Sequence, residues 1–137
     1  MRILGVDFGD RRTGVAISDE LGWTAQGLKT IFHWNPGEVA NEVIKTAEEY
    51  NVEKIVLGLP KNMDGSIGFR GEATKSFAEI LKSKTNIELL FWDERLSTVA
   101  AHRTLNETNL RGKKRKDIVD TVAATYILQG YLDSLTR

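Results

Sequence analysis

The chain has 137 residues, 41% hydrophobic and 28% charged, a length and balance that suit one folded domain over residues 1–137 and exclude a disordered or fibrous chain. Lysine plus arginine and aspartate plus glutamate number 19 each, which excludes the overall basic excess of a general phosphate binder. The absence of cysteine excludes disulfides and thiolate metal sites and fits a cytoplasmic protein.

The first residues, MRILGVDFGD, form an apolar run broken by Asp7, too short for a secretory signal or a membrane span. Arg2 to Phe8 and Thr13 to Ser18 are β-rich runs around Gly9, Asp10, Arg11 and Arg12, which predicts two strands joined by a tight hairpin, with a third over Thr24 to His33. Asn35 and Pro36 suit an N-cap and first helical position. Val39, Ala40, Val43, Ile44, Ala47 and Tyr50 then recur at helical spacing.

Lys54 to Leu57 predict a strand ending at Gly58, and Leu59 to Gly71 a loop, with Pro60 and three glycines in it or at its end. Ala73, Phe77, Ile80 and Leu81 make a second helical stripe. Ile87 to Trp92 predicts a strand buried on both faces and ending in Asp93, Glu94 and Arg95. A short helix is expected near Ser97, and a last one from about Lys116 to Leu135. The order predicts an α/β fold: a five-stranded mixed sheet, with a three-strand antiparallel meander joined to parallel strands and flanked by helices. No heptad or exposed apolar stripe specifies an oligomer.

Ligands of open α/β sheets collect beyond the carboxyl ends of the parallel strands. Asp7, Asp93 with Glu94, and Asp120 are the acidic residues there or on the helix expected to pack nearby. A lone carboxylate in the apolar run around Asp7 is costly unless paired or metal-bound. Converging carboxylates could hold two divalent cations about 3.5 to 4 Å apart, which suits phosphodiester cleavage, and hard cations such as Mg²⁺ prefer such oxygen ligands. Each acidic residue also has a plainer reading as a cap or ion-pair partner, Asp93 with Arg95 above all.

Four ordered blocks carry a resemblance: Gly5-Val6-Asp7-Phe8-Gly9 with Gly14-Val15-Ala16; Gly58-Leu59-Pro60-Lys61-Asn62-Met63-Asp64-Gly65; Asp93-Glu94-Arg95-Leu96-Ser97-Thr98; and Asp120-Thr121-Val122-Ala123-Ala124. Over nearly its whole length the chain resembles the YqgF/RuvX family, labelled Holliday junction resolvase or precursor 16S ribosomal RNA nuclease, with an RNase H-like fold. The resemblance implies that Asp7, Glu94 and Asp120 are the catalytic, metal-binding triad, with Asp93 in reserve for the middle role. It also implies Mg²⁺ or Mn²⁺, two ions, as cofactor and nucleic acid as partner: precursor ribosomal RNA first, branched DNA as the alternative. Asp10 departs from the family pattern, standing where a small hydroxyl residue is usual and adding negative charge near the site.

Arg95, beside the acidic cluster, is a candidate to hold the scissile phosphate. Asn62 lies in a loop that either positions a phosphate or base or is a structural turn. Arg111, Lys113, Lys114, Arg115 and Lys116 put five cations in six positions, read as a substrate contact against the alternative of a solvated linker.

Other chemistries fit less well. His33 and His102 lack metal-ligand spacing, no Gly-x-Ser-x-Gly elbow occurs, and Trp23, Trp34 and Trp92 read as packing residues. An actin-like ATPase would need a second lobe. A non-catalytic RNA-binding module on the same fold is the remaining alternative.

Overall fold

The computed structural model describes residues 1–96 and 112–135, with only the backbone described over 112–120. Five strands, β1 (Arg2–Asp7), β2 (Arg12–Ser18), β3 (Ala25–Phe32), β4 (Val52–Leu59) and β5 (Glu88–Asp93), form one sheet of order β3-β2-β1-β4-β5. The β1–β2 and β2–β3 pairs are antiparallel, and β1–β4 and β4–β5 are parallel. The carboxyl ends of β1, β4 and β5 therefore share one edge of the sheet.

Alternation along the strands divides the core into two layers. Leu4, Val6, Ile55 and Leu57 face α1 (Pro36–Glu49) and α2 (Phe69–Lys84), meeting Val39, Val43, Phe77 and Leu81. Ile3, Ala16 and Val56 face the last helix, α3 (Gly112–Ser134), meeting Ala123, Ala124, Ile127, Leu128 and Leu132. Asn35 caps α1 by accepting from the backbone of Gly37 and Glu38, with Pro36 opening the helix. Gln129 ties α3 to the sheet: its amide oxygen accepts from Ala25 N at 2.9 Å and its amide nitrogen donates to Trp23 O at 3.0 Å.

Four expectations are corrected. β5 is an edge strand, half-buried among the described residues with Phe91 exposed, so its continuous apolar run does not signify burial on both faces. Helix α2 begins at Phe69, ahead of Gly71. That glycine serves close packing and does not break the helix, since a Cβ there would stand 2.7 Å from Pro60 O and 2.6 Å from Ile67 Cγ2. Helix α3 begins at Gly112, one turn before Lys116. Trp23 and Trp34 are exposed, and of the three tryptophans only Trp92 joins a core layer. The helix expected near Ser97 lies outside the described residues.

Candidate active site

Asp7 ends β1 two residues beyond Gly5, and Gly5 faces α3: a Cβ on it would lie 2.6 Å from Leu128 Cβ. Alternation puts Asp7 on that same face, where it is only 5% exposed. On β4, Leu57 pairs with Val6, so Gly58 stands level with Asp7 on the neighbouring strand. A Cβ on Gly58 would stand 3.1 Å from Glu94 Oε1 and 2.3 Å from Ile127 Cδ1.

Glu94 belongs to a 3₁₀ turn, Glu94–Leu96, directly after β5, and its carboxylate reaches back over Gly58 onto the α3 face. Neighbouring strands lie about 4.8 Å apart. Asp7 and Glu94, 87 positions apart in the numbering, thus lie on one face at the carboxyl edge, about one strand spacing apart. Gly58 makes room for that arrangement. A glycine at a strand end marks such close approach, and this is the signal through which the sequence could have shown it.

Helix α3 runs against β1 with Ala124 and Leu128 over Gly5, and position 120 lies one turn before Ala124. The Asp120 side chain itself lies outside the described residues. Among the described residues, no three aspartate, glutamate, histidine or cysteine side chains form a ligand set. The carboxylate oxygens of the buried Asp7 and the half-buried Glu94 are nevertheless of the kind that suits a hard divalent cation.

Asp93 is occupied elsewhere. It pairs through Leu59 while Trp92 pairs with Gly58, so it alternates away from the α3 face. Arg95 Nη2 and Nε donate to its Oδ2 at 2.7 and 3.1 Å, the Arg95 backbone N–H donates to Oδ1 at 2.9 Å, and Lys61 Nζ stands 3.8 Å away. The Arg95 guanidinium, then its backbone N–H, hold the Asp93 carboxyl below its ordinary range against the opposing effect of desolvation, and the pairing raises Arg95 in return. The ion-pair reading of Asp93 describes this geometry, and Arg95 is committed to it.

Arg95 also anchors the 62–66 loop, donating from Nη1 to Met63 O at 3.4 Å. Within the loop, Asn62 Nδ2 donates to Ser66 Oγ at 2.9 Å, and Asp64 Oδ1 accepts from Ser66 N and Oγ at 2.9 and 2.6 Å. The Ser66 hydroxyl and then its N–H draw the Asp64 carboxyl down. The Asn62 amide thus closes a turn in this structure. Lys113, Lys114, Arg115 and Lys116 fall in the first turns of α3, while their side chains, and Arg111 altogether, lie outside the described residues.

Around the sheet edge, on the α1–α2 side, Phe8 stacks on Phe77 with centroids 4.2 Å apart. Phe8, Asp10, Trp34, Pro36, Ala73, Ser76, Phe77 and Ile80 line a cleft of about 210 Å³. The exposure of Trp34 gave no signal in the sequence pattern.

Several solved structures share this architecture. Thermus thermophilus RuvC in complex with a Holliday junction substrate superposes with a TM-score of 0.61 at 12% identity, over 99% of this chain and 97% of that one. The fowlpox virus Holliday junction resolvase gives 0.57 at 17% identity, over 98% of this chain and 100% of that one. The sheet order, its mixed pairing and these neighbours define an RNase H-like fold.

The profile of one family, RuvX, described as Holliday junction resolvase, matches residues 1–134. Relatives in Clostridium novyi and Clostridium beijerinckii, each named "Putative pre-16S rRNA nuclease", are 56% and 53% identical over 98% and 100% of this chain and 100% and 99% of theirs. The chain belongs to the RuvX family, and with it to the nucleases.

Proposed function

We propose that this protein is a metal-dependent endonuclease that processes the 5′ end of precursor 16S ribosomal RNA, with Asp7, Glu94 and Asp120 as the carboxylates that hold Mg²⁺ or Mn²⁺. The observation that carries the reading is the approach of the Glu94 carboxylate over Gly58 toward the buried Asp7 on the adjacent strand. The names of the relatives favour the ribosomal RNA leader as substrate. The family description and the DNA-bound neighbour favour a four-way DNA junction as the second reading.

Divalent ions bound here would activate a water nucleophile and stabilise the departing oxygen. The chain's own contribution is placement. Burial of Asp7 fixes its carboxylate at the end of a rigid strand, the 3₁₀ turn returns Glu94 to the same face, and α3 brings position 120 alongside. Basic residues 113–116 at the start of α3 would draw the phosphate backbone toward that edge.

The test is cleavage of a labelled precursor 16S leader RNA and a synthetic four-way junction, side by side, with Mg²⁺ or Mn²⁺, by wild type and Asp7→Asn. RNA cleavage lost in the variant is expected. Cleavage of the junction alone would promote the second reading, and no metal-dependent cleavage of either would overturn both.

A further inference from the structure

Trp34 is 73% exposed at the end of β3, with the Arg11 guanidinium carbon 5.5 Å from its ring centroid. Large aromatic rings left in solvent with guanidinium groups over their faces offer both attractions that hold a single strand, stacking and positive charge. The cleft below Trp34 is floored by the Phe8–Phe77 stack and holds about 210 Å³. Pockets for drug-sized ligands run to roughly 300–1,000 Å³, so this one suits a single planar ring system.

Its location gives it an occupant. Phe8 directly follows Asp7, and alternation sends its side chain to the opposite face of the sheet. A strand crossing the edge at Asp7 thus passes the cleft mouth, where Arg11, over the Trp34 ring, matches its phosphates in charge. Asp10, also in the lining, repels phosphate but accepts hydrogen bonds from base amino groups. Cytosine offers such a group, whereas the uracil N–H is flanked by two carbonyl oxygens that a carboxylate repels.

We propose that the Phe8–Asp10–Trp34 cleft is a subsite for one unpaired, amino-bearing base of the substrate strand, next to the position where the backbone meets Asp7. Trp34 stacks on the base, Asp10 accepts from its amino group, and Arg11 faces the adjoining phosphate. The inference rests on the nuclease reading for the strand's path, but base binding can be measured apart from cleavage.

The probes are 5′-fluorescein 12-mers of oligo-C and oligo-U RNA, titrated by anisotropy in EDTA with wild type, Trp34→Ala, Trp34→Phe and Asp10→Asn, each checked for fold by circular dichroism. Trp34→Ala should weaken oligo-C binding by about 5- to 150-fold, the range expected for removal of one base stack. Trp34→Phe should retain most of the affinity, and Asp10→Asn should narrow a wild-type preference for oligo-C over oligo-U. Equal oligo-C affinity of wild type and Trp34→Ala, or no such preference in wild type, would overturn the subsite. Metal-dependent cleavage by wild type is followed in parallel. Trp34-dependent binding without cleavage supports the subsite and removes the nuclease, whereas cleavage with binding indifferent to Trp34 removes the subsite alone.

Discussion

The Glu94 carboxylate lies against Gly58 so closely that a methyl group on the glycine would stand 3.1 Å from Oε1, while also meeting Ile127 Cδ1 at 2.3 Å. Gly58→Ala must therefore push both neighbours. We expect it to cost about 1–3 kcal/mol, as overpacking does, and to lower cleavage more than this loss of stability explains, because Glu94 moves. A chemical denaturation curve and a cleavage assay well below the melting temperature separate the two effects.

Asp7→Asn and Glu94→Gln should each reduce metal-dependent cleavage by more than the roughly 10- to 100-fold typical of losing a group that merely supports a metal ligand. Asp93→Asn should fall within that smaller range, because Asp93 is held by Arg95 and Lys61. Single-turnover rates for the three variants test the ranking. Equal losses at Asp93 and Glu94 would reverse their assigned roles.

The Asp93–Arg95 pair has a defined pH signature. The folded-state pKa of Asp93 is depressed, so its contribution is fully present above the unfolded value, near 3.8, and is lost as pH falls through the folded value below that. The difference in urea midpoint between wild type and Asp93→Asn should stay constant from neutral pH down to about pH 5. It should then shrink as the solution is taken below about pH 4. A difference that grows in acid would contradict the sign.

Gln129 is the polar tether between α3 and the start of β3. Gln129→Ala removes the acceptor for Ala25 N and the donor to Trp23 O, which should cost about 1–2 kcal/mol for a part-buried pair. For a chain of this size that is a fall of roughly 3–10 °C in Tm. Gln129→Glu keeps an acceptor for Ala25 N but sets a carboxylate against Trp23 O and the Asp133 carboxylate, to which the Gln129 amide donates at 3.0 Å, so its melting temperature should fall at least as far as that of Gln129→Ala.

The basic run opens α3, where helix peptide dipoles already concentrate positive charge and no acidic residue lies in the first turn. Replacing Lys113 and Lys114 with glutamine should therefore leave stability unchanged or raise it by a few tenths of a kcal/mol. For each lysine–phosphate pairing removed, the plot of log affinity against log salt should become shallower by about 0.7–0.9. Thermal melts and salt titrations of RNA binding should thus respond in opposite senses.

Much of this molecule is legible in local pattern. The Asn35–Pro36 start of α1 and the β1–β2 hairpin follow from backbone preferences of a few residues, and the isolated carboxylate in the apolar run of β1 marks Asp7. What local pattern cannot carry is burial decided by neighbours. The apolar run Leu89–Trp92 reads the same at the edge of a sheet as at its centre, and only the pairing order shows β5 to be outermost. Trp34 likewise reads as core until its position beyond the end of β3 leaves it in solvent. Arg95 beside a carboxylate reads as a substrate cation or a clamp, a choice made by the bidentate geometry to Asp93.

Three strands each present a glycine to the last helix: Gly5 to Leu128 at 2.6 Å, Gly27 to Thr121 at 2.7 Å and Gly58 to Ile127 at 2.3 Å, measured from where a Cβ would be. These missing methyl groups act as a gauge block. They set how far the helix stands off the sheet, and therefore how far position 120 stands from the acids on the strands. A graded series of small residues at these three positions would amount to a mechanical adjustment of the candidate site, widening its jaws by fractions of an ångström without replacing any acidic residue.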